Sequence, residues 1–312
     1  MHSTKSASRL GIFKSLAPTS ARKLCAVLIA CSVLAGCSGL EKQLDDLLGN
    51  DPAAPPVADG DKDTGSFDDT TPVGTLYNKG LDHMKVGEYA KAAKQFDEVE
   101  RLHPYSTWAT RATLMVAYAH YQRNAYQDSI NASDRFIQLH PGNKDVAYAY
   151  YLRGLSYYEQ ISDTQRDQSN TQKALDSLEE VSRRFPESQY ARDADAKAVL
   201  ARDHLAGKEM RIGRYYLKRH AYVAAINRFK KVVKDYQTTS HTPEALQRLT
   251  EAYFALGIRS EAQTAAAILG HNFPNSQWYK DAYALLRTGG LEPQVNNDSW
   301  LARTWRNATS SG

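Results

Sequence analysis

GLDHMKVGEYAKAAKQFDEVERLHP, residues 80–104, is the stretch on which the reading of the fold turns. Gly80, Tyr89, Ala92, Phe96 and Pro104 stand 9, 3, 4 and 8 residues apart within it. Far downstream, GRYYLKRHAYVAAINRF, residues 213–229, repeats the first three intervals with Gly213, Tyr222, Ala225 and Phe229. Small residues at fixed places suit two helices that cross closely, while Tyr, Phe and Leu fill the gaps between helix pairs. A proline after the second helix ends it, because it lacks an N–H and disfavours helix at the preceding residue.

A helix-pair unit of 34 residues with these landmarks is the tetratricopeptide signature. A second unit places Ala117, Tyr126, Ser129 and Pro141 at the same offsets, and a fifth places Tyr253, Ala262 and Pro274. The third departs. Gly154 and Tyr157 open it, but Ala174, Leu178, Val181 and Pro186 come eight residues late, after the polar insertion ISDTQRDQSNTQ. That insertion reads as a long, mainly structural loop between the two helices of the unit. The spacing therefore predicts an all-α tetratricopeptide-repeat solenoid of about five helix pairs over residues 76–286. Each pair buries too little alone, so stacking supplies a continuous core and a concave face for partner segments. Residues 189–220 hold no proline and predict one long helix joining the two halves. After Arg287 the chain reads as a polar C-terminal tail, residues 287–312. The tail ends near SWLARTWR, residues 299–306, whose Trp and Arg pattern suits a loose tail better than a membrane or partner contact.

The N-terminus predicts export. Residues 1–36 hold five basic side chains and no acidic one, and Leu24–Ala35 is apolar, a charged n-region followed by a signal h-region. Twelve apolar residues fall short of the roughly 20 that span a bilayer. Leu34-Ala35-Gly36-Cys37 is similar to a bacterial lipobox, which predicts lipidation of Cys37, with palmitate among the acyl chains, and anchorage in a membrane. Ser38, rather than Asp, favours the outer membrane by the lipoprotein sorting rule. Cys25 and Cys31 leave with the signal, so the mature chain keeps no free thiol. Taking the five signal charges from 39 leaves 34 basic residues against 35 acidic. Residues 37–75 read as a disordered linker after the lipidated cysteine. Nine acidic and two basic residues lie between 41 and 75, leaving 32 basic against 26 acidic elsewhere in the mature chain.

Nothing in the sequence points to catalysis. No thiol nucleophile remains, and HExxH, GxSxG and P-loop strings are missing from the sequence. No cofactor and no metal site are implied. His103 and His140 both precede a helix-stopping proline, which makes their recurrence an effect of the repeat. Lys230, Lys231 and Lys234 form a basic cluster, but export argues against nucleic acid as its partner.

The lipobox, the acidic linker and FDEVERLHPYSTWA (96–109), DRFIQLHP (134–141), YLRGLSYY (151–158), FPESQYARDA (185–194) and GRYYLKRHAYVAAINRF (213–229) carry a family resemblance. From Cys37 to about Tyr283 the chain resembles the BamD family, lipoproteins of the outer-membrane β-barrel assembly machinery. The resemblance implies a periplasm-facing scaffold on the outer membrane. Its C-terminal repeats would dock the POTRA domain of the barrel-forming BamA, with Arg219 and Arg228 facing that side. Its N-terminal groove would receive the C-terminal targeting segment of unfolded outer-membrane proteins, with His103, Tyr105, Trp108, Tyr118 and Arg135 lining or bordering it. Tyr and Trp at these spacings equally suit a repeat core. Contacts with accessory lipoproteins stay open. The rival readings are an adaptor lipoprotein recruiting a peptidoglycan hydrolase or a pilus secretin, and a lipid-anchored enzyme.

Overall fold

The computed structural model describes residues 72–164 and 166–310. The signal segment, Cys37 and the linker up to residue 71 lie outside the described residues. Twelve helices and no strand occur among the described residues. Five antiparallel pairs come first: α1 (Pro72–Lys85) with α2 (Tyr89–Leu102), α3 (Thr107–Gln122) with α4 (Tyr126–Leu139), α5 (Val146–Tyr158) with α6 (Ser169–Arg184), α7 (Ala191–Lys218) with α8 (Tyr222–Asp235), and α9 (Thr242–Ala255) with α10 (Arg259–Asn272). Two further helices, α11 (Gln277–Thr288) and α12 (Trp300–Ser310), complete the chain.

From α1 to α11 each helix packs on its sequence neighbour, and the first helices of successive pairs also touch, α1 on α3, α3 on α5, α5 on α7. This is the quasi-one-dimensional stacking of a solenoid, with one core running through it. The landmarks sit where packing requires them. A Cβ on Gly80 would fall 2.5 Å from Phe96 Cε1, and one on Gly213 would strike Phe229 in the same way. At Gly154 the obstacle is Leu178, 2.9 Å away. Ala92, Ala174, Ala225 and Ala262 are fully buried at the same helix crossings.

Four of the pairs also close alike. Gly87, Asn124, His220 and Gly257 have φ of 76°, 61°, 58° and 73° at the end of the first helix. The next N–H in each turn reaches back six residues inclusive, Glu88 to His83 O, Ala125 to His120 O, Ala221 to Tyr216 O and Ile258 to Tyr253 O, each at 2.9–3.0 Å. That is a Schellman closure, which satisfies a terminal carbonyl through a left-handed residue. Glycine takes this conformation freely, whereas Asn124 and His220 take it at a steric cost.

The inserted loop of the third unit is folded down. Gln168, almost wholly buried, donates to Asp163 O at 3.1 Å and Arg166 O at 3.2 Å and accepts from Thr171 Oγ1 at 2.9 Å. Arg211 Nη2 donates to Thr164 O at 2.8 Å, pinning the loop across α7. The long helix expected over 189–220 is α7, 28 residues. Two boundaries differ from the sequence reading. Helix α1 begins at Pro72, inside the span assigned to the linker, and proline suits a first helical position. The tail assigned as loose and polar carries α12, whose Leu301 and Ala302 are buried against the rest of the body. A short helix after a polar strap leaves little local signal, and its stability comes from what it packs on.

Candidate functional site

The residues assigned to the client groove do not converge on one surface. Trp108, on α3, is 8% exposed, with its ring centroid 4.9 Å from that of Tyr77. Tyr77 in turn lies 5.2 Å from Phe96, so Trp108 is part of the core of the first unit. Tyr118 is half-buried on α3 and accepts a hydrogen bond from Gln122 Nε2 at 2.7 Å. His103 ends α2 and is half-buried, and Tyr105 stands fully in solvent in the following turn.

Arg135, on α4, faces a cleft. Its Nη2 donates to Glu100 Oε2 at 2.8 Å and lies 3.9 Å from Asp97. Glu100 also accepts from Thr113 Oγ1 at 3.1 Å, so one carboxylate ties α2, α3 and α4 together. Glu100 lies one turn before His103 on α2, but neither His103 nor Tyr105 lines the cleft that Arg135 faces. The cleft, about 420 Å³, is lined by Asp97, Val116, His120, Asp128 and Arg135 among others. Partial burial raises the pKa of Asp97 against the pull of Arg135. Burial and the neighbouring Arg123 lower that of His120, whose Nδ1 accepts from Arg123 Nε at 3.1 Å. A guanidinium at the rim of a polar cleft offers a carboxylate a charge-assisted contact, in competition with Glu100. His120, Asp97 and Asp128 had not been assigned to this groove from the sequence.

Arg219 and Arg228 serve different neighbours. Arg219 ends α7 with its guanidinium 4.6 Å from the centroid of Tyr215. Arg228, on α8, donates through Nη1 to Glu209 Oε2 on α7 at 3.1 Å. Glu209 and Arg219 are ten residues apart on one helix, about 15 Å along its axis. Both arginines keep part of their surface in solvent, Arg228 with 41% of its side chain exposed.

A second cleft, about 640 Å³, opens between α7 and α9 and is strongly basic. Arg211, Arg214, Lys218 and Arg248 line it with Tyr215 and Tyr222. Arg214 and Arg248 both reach Glu244, whose carboxyl they hold below its ordinary range although burial pushes the other way. The signal for this cleft was present as Arg211, Arg214, Tyr215 and Lys218, one stripe at helical spacing.

A family model, outer membrane lipoprotein YfiO, matches residues 69–269, from just before α1 into α10. The chain belongs to the YfiO family of outer membrane lipoproteins. Among curated relatives, the outer membrane protein assembly factor BamD of Caulobacter vibrioides is 47% identical over 272 residues, covering 87% of this chain and 82% of the relative. BamD of Rickettsia prowazekii is 47% identical over 222 residues, 71% of this chain and 88% of the relative. BamD of Neisseria meningitidis serogroup A is 35% identical over 218 residues, 67% and 82%. The YfiO match takes in both clefts, and it leaves out Cys37, α11 and α12.

Proposed function

We propose that this YfiO-family lipoprotein is a non-catalytic scaffold that supports the folding and insertion of outer-membrane β-barrel proteins. It is held by acyl chains on Cys37 to the outer membrane, with the solenoid facing the periplasm. The observation that carries the reading is the extent of the match: relatives named as outer membrane protein assembly factors align with most of the helix-pair stack at up to 47% identity.

Two regions divide the work. The C-terminal repeats, through Arg228 and Arg219, dock the POTRA region of a BamA-like barrel-forming protein. The N-terminal repeats, through Arg135 and the exposed Tyr105, receive the C-terminal targeting segment of an unfolded barrel client. His103 and Tyr118 border that site, and Trp108 supports it from the core. An extended segment ending in an aromatic ring and a carboxylate suits a surface that offers a guanidinium and, farther along, an exposed tyrosine. Family membership favours this reading over an adaptor for a cell-wall hydrolase or pilus secretin.

The test is affinity purification of the native protein from detergent-solubilised envelopes, with mass spectrometry of partners, for wild type and Arg228→Glu. A POTRA-containing barrel protein should dominate with wild type and be depleted in the variant. Enrichment of a hydrolase or secretin in its place would refute the assembly reading.

A further inference from the structure

The C-terminal segment beyond the YfiO match is built onto the body. Gln263 Nε2 donates to Glu292 O at 2.8 Å, Gln294 N to Gln263 O at 3.3 Å, and Asn296 N to Thr264 Oγ1 at 3.0 Å, so residues 292–296 run as a strap along α10. Ser299 then donates to Glu261 at 2.9 Å while its Oγ accepts from Leu301 N and Ala302 N at 3.0 and 3.3 Å. This caps α12, which packs on α8 and α10 with Leu301 fully buried. Lys230 of α8 holds its ammonium 3.8 Å from the centroid of the Trp300 ring.

Both helices are net basic. Outside the signal and the acidic linker the chain holds 32 basic and 26 acidic residues, an excess of six. Helix α8 carries Arg228, Lys230, Lys231 and Lys234 against Asp235, and α12 carries Arg303 and Arg306 with no acid. These two touching helices therefore carry a net of five positive charges, and α7 beside α8 carries three more. On α8 the exposed residues Val223, Asn227 and Lys234 form one outward stripe by their spacing of four and seven. Arg228 flanks this stripe on the side of α7, and Lys230 flanks it on the side of α12. Lys234 and Arg303 are exposed and have no ion-pair partner among the described residues.

We propose that the outer face of α8 and helix α12 form one basic docking face for an acidic surface of the partner, so that the C-terminal helix completes the site marked by Arg228. This rests on the reading that α8 docks the barrel-forming protein. A folded acidic protein surface fits better than a bilayer, because Trp300 and Trp305 pack against the core instead of projecting as interfacial anchors. Charge arranged in this way steers association and makes it salt-dependent.

The experiment uses the mature chain with Cys37→Ser, so that acyl chains play no part, and the soluble POTRA region of the barrel-forming protein from the same organism. Binding is measured by biolayer interferometry at low and high salt for wild type, Arg228→Glu, and the double variants Lys234→Glu/Arg303→Glu and Lys234→Gln/Arg303→Gln. The Glu double variant should bind about tenfold more weakly at low salt, mainly through slower association, with the gap narrowing at high salt and the Gln variant intermediate. Unchanged thermal melting confirms that the variants fold. Loss with Arg228→Glu but wild-type binding by the double variants would overturn the composite face and leave the docking reading standing. Absence of wild-type binding would sink the docking reading and the composite face with it. Vesicles containing phosphatidylglycerol are the control: if wild type binds them, the Glu variant does not, and POTRA binding is unaffected, the face is a membrane contact and the proposal is wrong.

Discussion

Arg214 on α7 grips Glu244 on α9 through two parallel hydrogen bonds, Nε to Oε1 at 2.8 Å and Nη2 to Oε2 at 2.7 Å. The pair joins the first helices of the fourth and fifth units, and Glu244 keeps 11% of its side chain exposed against 42% for Arg214. Glu244→Gln leaves Arg214 short of its charged acceptor, while Arg248 keeps Glu251 at 2.8 Å. The expected cost is about 1–2 kcal/mol, once the exposure of Arg214 is discounted from the value of a buried pair.

The same carboxylate predicts a pH dependence. Its folded pKa lies below the ordinary 4.5, so the folded state binds fewer protons than the unfolded chain in that range. The stabilisation is fully present above the unfolded pKa and is lost as pH falls through the folded one. Thermal melts of wild type and Glu244→Gln should therefore be separated at pH 7, begin to draw together as pH falls below about 4.5, and meet only below the folded pKa. A gap that widens on acidification would contradict the assignment.

Gly213→Leu places a side chain in space held by the Phe229 ring and should destabilise by about 1–3 kcal/mol. Phe229→Ala, which empties a fully buried site, should cost about 3–5 kcal/mol. Urea unfolding of both single variants and the double variant checks the contact. If the two residues pack as described, the double variant is less unstable than the sum of the singles, and simple additivity would deny the contact.

Leu301→Ala tests whether the tail is part of the body. A fully buried leucine predicts a loss of about 2 kcal/mol or more and earlier proteolysis after Leu291. A melt identical to wild type would mean that α12 adds nothing to the fold.

Trp108→Ala and Tyr105→Ala separate core from surface in the first two repeats. The tryptophan variant should lose about 3 kcal/mol or more of stability, because its ring is enclosed by Tyr77. The tyrosine variant should melt as wild type and bind a peptide carrying a barrel client's C-terminal segment more weakly, as should Arg135→Glu. Fluorescence anisotropy with the labelled peptide reads both, and equal affinity across Tyr105→Ala, Arg135→Glu and wild type would move the client site elsewhere.

The helix pairs were legible because Gly80 against Phe96 and Gly213 against Phe229 leave physics little choice: close crossings admit only small residues, so register survives in the sequence. The extra length of the third unit showed as a delay of eight residues for the same reason. Helix α12 did not show, because its stability lies in contacts with α8 and α10 and in one serine cap. Residue type also hides destination. Trp108 reads alike for a groove and a core, and only the placement of Tyr77 decides. His220 gives no sign from its chemistry that it holds a left-handed turn. Arg228 and Lys230, two residues apart, could not be assigned to opposite flanks of α8 until α7 and α12 were in place.

Assistance to β-barrel assembly in the outer membrane is read most directly in the folded fraction of newly made barrel proteins after the protein is depleted from its own cell. Pulse-labelled barrels are scored as folded by resistance to protease and to unheated detergent. The folded fraction should fall while barrels accumulate unfolded in the periplasm, and wild type should restore it whereas Arg228→Glu restores it only weakly. Normal barrel folding throughout depletion would mean that the protein has no part in barrel assembly.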